Sequence, residues 1–171
     1  MTAPLKKLAL FDLDHTLIPF DSDHAWGEFT TRIGWTDAEE FKHRNDSFYA
    51  EYQQGQLDIH AYVRFTTDAA RKKGPQAAHA AQMQFMHEQV LPRITPAAAA
   101  LLKQHREAGE QLILITATNE FVTRPISHAL GIGELIAVEL AVDEHGWITG
   151  DIAGIPSYRE GKVTRMTQWL A

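Results

Sequence analysis

Two carboxylates one residue apart, Asp12 and Asp14, follow directly on the apolar run Leu8-Ala9-Leu10-Phe11, and the hydroxyl of Thr16 comes next. Residues two apart on an extended segment point the same way, so both acids face one side where a strand gives way to a loop. There a side chain and the next backbone carbonyl can converge on one cation, and hard oxygen ligands of this kind suit Mg²⁺. Asp is also common in turns and helix caps after a strand, so the residues of this stretch alone leave both readings open.

The apolar run is short, unbroken and preceded by Lys6 and Lys7. It reads as a parallel strand buried on both faces. Open α/β sheets bind ligands in the crevice at the carboxyl ends of such strands, which puts Asp12 and Asp14 at the mouth of a site. After Pro19 the periodicity becomes helical. Asp21-Ser22-Asp23 can cap a helix carrying Ala25, Trp26, Phe29 and Ile33. Thr36 or Asp37 caps a second, with Phe41, Phe48, Tyr49 and Tyr52 inward. Asp58 caps a third, with Ile59, Tyr62, Val63 and Phe65, and Pro75 opens a fourth, with Ala78, Met83, Phe85, Met86 and Val90. Four amphipathic helices in a row read as a small bundle, and their aromatic and Met stripes as core.

The α/β pattern then resumes. Pro96 opens a helix with Ala99, Leu101, Leu102 and His105. Leu112-Ile113-Leu114-Ile115 is a second buried strand running into Thr116-Ala117-Thr118-Asn119. A helix follows from Glu120 to about Leu130, and Leu135 to Val138 is a third strand. Leu140–Val142 and Trp147–Ile152 read as a β-hairpin. A last helix, about Arg159 to Leu170, has Val163, Met166, Trp169 and Leu170 on one face. A helical module of residues 20–94 therefore interrupts a core made of 1–19 and 95–171.

Asp12-Leu13-Asp14-His15-Thr16 after an apolar strand resembles the first motif of the haloacid dehalogenase superfamily, Asp-x-Asp-x-Thr. The resemblance implies α/β architecture: a Rossmann-like, three-layer parallel sheet core with an inserted four-helix cap and a β-hairpin. In the phosphatase branch it implies Mg²⁺-dependent hydrolysis of a small phosphomonoester through an aspartyl-phosphate. Asp12 would be the nucleophile, Asp14 the acid and then the base, and both would hold the metal. Thr116 stands where the second motif has a Ser or Thr, and its hydroxyl would bind a phosphoryl oxygen beside the backbone N–H of Ala117 and the helix N-terminus. Lys162 resembles the third motif and would neutralise the phosphoryl group and the acids. Leu13 and Asn119 would complete the phosphate contacts. Asp21 falls at about the offset where phosphoserine phosphatases have a Glu for the substrate's amine. Their cap Arg for the carboxylate has no clean match here, Arg44 and Arg64 being the nearby candidates. His15 stands inside the motif and lines the expected site. Asp21 and Asn119 read equally as helix caps.

Several classes are excluded. A formal net charge of −6 argues against a nucleic-acid surface. It also means that any phosphate must meet a local cation rather than an overall field. No run reaches the ~20 apolar residues of a membrane span, and residues 1–7 lack the apolar core of a signal peptide. The absence of cysteine excludes thiolate chemistry and fits a reducing compartment, so the expected location is cytoplasmic and the expected partner a small phosphorylated metabolite. A metal-free dehalogenase is disfavoured by Asp14, Thr116 and Lys162, whereas a phosphotransferase would share every residue. The family's fourth motif, a further acidic pair after the Lys, finds no match. The chain is therefore expected to be a C-terminally incomplete core and a poor Mg²⁺-dependent phosphatase, or a non-catalytic binding module. Its first strand would present an unpaired edge open to homodimerisation.

Overall fold

The computed structural model describes residues 7–171. Lys6 and most of the segment read as lacking a signal peptide lie outside the described residues. The first strand, β1 (Leu8–Phe11), is followed by α1 (Ser22–Arg32), α2 (Ala38–Gln53), α3 (Ile59–Lys73) and α4 (Pro75–Phe85). A π turn (Met86–Val90) and a 3₁₀ turn (Leu91–Arg93) prolong α4. Then come α5 (Pro96–Glu107), β2 (Gln111–Asn119), α6 (Glu120–Ala129), β3 (Glu134–Val138), the hairpin β4 (Leu140–Val142) and β5 (Ile148–Ile152), and α7 (Glu160–Leu170).

Side-chain oxygens start most helices. Asp21, Asp37 and Asp58 accept from backbone N–H groups of the first turns of α1, α2 and α3, and Thr95 and Asn119 do so for α5 and α6. Of the two candidate caps for α2, Asp37 is the one used.

Strands β1, β2 and β3 form a parallel sheet in that order, with Leu8 opposite Gln111 and Ile113 opposite Glu134. Alternation along β2 divides its side chains between two layers. Leu112 and Leu114 join the main core with Leu102 of α5 and Val122 and Ile126 of α6. Ile113 and Ile115 pack with Ile136 against Met166 and Trp169 of α7. The main core runs without a break into the helical insertion, where Trp26 of α1 meets Phe85 and also Phe121 of α6 at ring distances of 5.4 and 5.7 Å. Among the described residues, no helix is long and apolar enough to cross a membrane.

The structure corrects the expected burial at several points. Leu10 is 47% exposed rather than buried on both faces, because β1 is an edge strand and α7 packs over β2 and β3. Strand β2 continues four residues beyond the expected Ile115. Its register shifts before Asn119 pairs with Val138, and the hydroxyl of Ser157, donating to the Thr116 carbonyl at 2.6 Å, helps hold the extension. Tyr49 and Tyr52 are exposed, since α2 buries no residue fully. Met83 is exposed because α4 packs through Ala78, Ala81 and Phe85. Leu101 is exposed and Ala98, not Ala99, is the buried alanine of α5. Val163 and Leu170 are exposed because α7 meets the sheet through Met166 and Trp169.

Candidate active site

The chain leaves β1 at Phe11 and turns at once. The carbonyl of Leu13 accepts from the N–H groups of Thr16, Leu17 and Ile18 at 3.1, 2.9 and 3.2 Å. Leu13, Leu17 and Ile18 are fully buried, so the turn is anchored from below while Asp12, Asp14 and His15 border a cleft of about 800 Å³. His15 takes a positive φ of 55° at the bend, a conformation that among residues other than Gly is enriched in Asn, Asp and His. The Leu13 side chain is core and does not line the cleft, which leaves only its backbone for the expected phosphate contact.

Asp12 is about half exposed, and its Oδ1 lies 2.8 Å from the Lys162 ammonium of α7. Asp14 is held from two sides. Its Oδ1 accepts from the Ser22 N–H at 2.8 Å and its Oδ2 from the Thr118 hydroxyl at 2.9 Å. Burial pushes the Asp14 carboxyl above its ordinary value and the charge of Asp21 adds to this, against the hydrogen bonds that favour the ionised form. The two acids are thus unlike. One is open and paired with a cation, and the other is enclosed and reluctant to ionise.

The opposite lip comes from the end of β2. Thr116 and Ala117 line the cleft together with Thr118. The Thr116 hydroxyl accepts from the Thr118 N–H at 3.1 Å, which leaves its own hydrogen to donate. Asn119 is a correction. Its carbonyl oxygen caps α6 at Val122, its amide donates to Asp23 Oδ1 at 2.9 Å, and it is buried away from the cleft. It holds the lip in place and does not reach a ligand. Asp21 both caps α1 and lines the cleft. Arg64 turns to Asp151 on the hairpin at 2.7 Å, and Arg44 lies over the Phe65 ring at 4.6 Å. Neither lines the cleft.

Lys162 depends on a tight approach of two backbones. A Cβ on Gly161 would stand 2.0 Å from the Pro156 carbonyl oxygen, and the preceding Arg159 has a positive φ of 50°. Gly161→Ala must therefore shift the start of α7. The expected cost is about 1–3 kcal/mol, read as a lowered urea midpoint at unchanged m-value.

The cleft also takes residues that the sequence does not assign to it, Thr118, Asp23, Tyr62 and Arg93 among them. Thr118 could have been found, because it lies two positions after Thr116 on an extended segment and so shares its face. Asp23 reads in sequence as part of a helix cap and Tyr62 as core, while Arg93 falls just past the fourth helix of the insertion. The structure puts all three on the cleft, Arg93 over the Phe20 ring at 3.8 Å.

Hard oxygens available for a divalent cation are the Asp12 carboxylate and the Asp14 carbonyl. Among the described residues, no three His, Cys, Asp or Glu side chains converge as a ready metal cage. Two such oxygens still fit the way Mg²⁺ is commonly held, by one or two carboxylates with substrate phosphate and water.

The family model described as haloacid dehalogenase-like hydrolase matches residues 9–171. The chain is 40% identical over 167 residues to a histidinol-phosphatase of Neisseria meningitidis serogroup C (strain 8013), an alignment that takes in 98% of this chain and 75% of that protein. The crystal structure of a protein of unknown function from Bordetella pertussis Tohama I superposes with a TM-score of 0.88 at 41% identity, over 96% of this chain and 74% of that one. A phosphoserine phosphohydrolase-like protein from Francisella tularensis subsp. tularensis SCHU S4 shares the fold, with a TM-score of 0.64 at 15% identity over 98% of this chain and 74% of that one.

Proposed function

The chain belongs to the haloacid dehalogenase-like hydrolases and is a phosphatase of that family, and from this premise we propose that it cleaves a small phosphomonoester in two displacements on Asp12. The observation that carries the reading is the pairing of unlike carboxylates at one mouth, Asp12 open beside Lys162 and Asp14 enclosed beside Thr118.

In the first displacement a carboxylate oxygen of Asp12 bonds to phosphorus as the ester oxygen leaves, and Asp14 gives that oxygen its proton. In the second, water attacks the aspartyl-phosphate, Asp14 takes the water's proton, and the bond between phosphorus and Asp12 breaks to free phosphate. Asp14 suits both roles, since a carboxyl raised by burial keeps a proton to give and can take one back. Thr116, the Ala117 N–H and Lys162 bind the phosphoryl oxygens, with Lys162 moving from Asp12 towards the incoming charge. Asp12 and the Asp14 carbonyl would hold Mg²⁺, which when bound screens the repulsion between Asp12 and the phosphate. We assign residues 20–94 to a cap that covers this mouth and selects the leaving group.

Hydrolysis of p-nitrophenyl phosphate and of histidinol phosphate, the latter suggested by the name of the Neisseria relative, tests the proposal. Phosphate release that stops on chelation and returns with Mg²⁺, with an acid-stable phosphoryl group trapped on the protein, is the expected result. Release indifferent to chelation, or with no trapped phospho-protein, would overturn it.

A further inference from the structure

Beyond the phosphoryl site, the cleft holds an excess of acid of which the reaction uses only Asp14. Asp14, Asp21 and Asp23 line the cleft together with Tyr62 around the start of α1; burial first, and then the charges of the three acids, push the Tyr62 hydroxyl up. Lys162 is committed to Asp12. Among the described residues, no Lys, Arg or His nitrogen pairs with Asp14, Asp21 or Asp23 within 4.0 Å. The N-terminus of α1 offsets only about half an elementary charge.

Asp23 is the extreme member. It is 4% exposed yet lines the cleft. Its Oδ1 accepts from Asn119, and Oδ2 has no hydrogen-bond partner among the described residues. Asp21 caps α1 through Oδ1 and stands exposed to water, and Asp14 has both oxygens occupied. Burying a carboxylate without a cation is costly. Burial first, and then the charges of Asp21 and Asp14, push the Asp23 carboxyl well above its ordinary value. A buried acid with one open oxygen on a ligand cleft and no protein counter-ion is a receptor for a cation that arrives with the ligand.

Resting on the phosphatase reading, we propose that Asp23 is a specificity-determining residue that receives a protonated amine on the substrate's leaving group. The preferred substrates are then ammonium-bearing phosphomonoesters, with the phosphate at Lys162 and Thr116 and the ammonium at the open oxygen of Asp23. Asn119 sets the orientation of Asp23 by holding the other oxygen. Tyr62 closes the side of this subsite.

The test compares 3-aminopropyl phosphate with butyl phosphate, which match in length but differ in charge. The wild type is expected to favour the amine in kcat/KM, and Asp23→Asn to reduce that preference roughly 10- to 100-fold, chiefly through KM. Asp23→Glu, which keeps the charge, should keep part of the preference. The asparagine can still accept from Asn119, so removing an acid whose ionisation burial opposes should raise the melting temperature at neutral pH. A purely structural role would lower it. In thermal shift, 3-aminopropyl phosphate should stabilise the wild type more than butyl phosphate does, and Asp23→Asn should erase the difference. If p-nitrophenyl phosphate is hydrolysed but the amine confers no advantage, or Asp23→Asn retains it or melts lower, the amine subsite is wrong and the phosphatase reading stands. If no phosphate ester is turned over, but the amine-dependent thermal shift is present and requires Asp23, the phosphatase reading fails and the subsite stands.

Discussion

Asp12→Asn is expected to abolish turnover, by about 10⁴-fold or more, and to leave no trapped phospho-protein. The amide nitrogen and oxygen of Asn are poor nucleophiles at phosphorus, and no neighbour can take over. Asp14 is enclosed, with both oxygens engaged, and Asp21 is fixed as a helix cap. The fold should survive the change. Asp12 is half exposed, its side-chain partner among the described residues is Lys162, and partly exposed ion pairs contribute only about 0–1 kcal/mol. Circular dichroism and the urea midpoint should therefore stay close to those of the wild type while phosphate release disappears. Near-normal release from this variant would move the nucleophile elsewhere.

Asp14→Asn should separate the two displacements. Cleavage of an alkyl phosphate needs a proton on the departing oxygen, so its first step should slow by about 10²–10⁴-fold. The p-nitrophenolate ion leaves without a proton, so attack on p-nitrophenyl phosphate should be much less affected. The second step then lacks its base, and phospho-protein should accumulate. Rapid-quench measurements would show a burst of nitrophenol followed by slow turnover, a pattern absent if Asp14 only positions Asp12. The pH dependence follows from the direction of the Asp14 shift. Its pKa is raised by burial, so the protonated form survives to higher pH than for an exposed Asp. Alkyl ester attack should decline as pH climbs through that raised value, whereas breakdown of the intermediate should gain over the same interval. Both limbs should vanish in Asp14→Asn.

The parts of the site legible in sequence are those set by neighbours along the chain. The apolar run ending in two acids, the Asp caps and the Thr at the end of β2 all follow from local pattern. What depends on a distant partner was not legible from local pattern, and Lys162 reached the site only through the family resemblance. Leu10 looks as apolar as Ala9, and its exposure comes from where α7 lies over the sheet. Asn119 has the right chemistry for a phosphate, but Asp23, 96 positions away, takes its amide. Asp23 itself looks like the commonest kind of residue at the start of a helix. Only the packing of α1 against β2 and α6 makes it a buried charge. Tyr49 and Tyr52 fit an inward helical stripe, yet α2 turns them to the cleft because the insertion leaves a space there.

The pairing of Asp12 with Lys162 joins residues 150 positions apart, and β1 meets its neighbour only when Gln111 and the residues after it have been made. At about 5–20 residues per second of synthesis, the first strand spends on the order of 5–20 s without a partner. The intervening helices can begin to form on local hydrogen bonds before it, although α3 later packs on β5 and α1 on α6. Helix content should thus recover early in refolding and catalytic competence last, with the rate of the final phase set by closure of the long loop between β1 and β2. A nascent chain stalled before β2 would carry an apolar strand with nothing to pair with, a natural client for a chaperone that binds extended apolar segments.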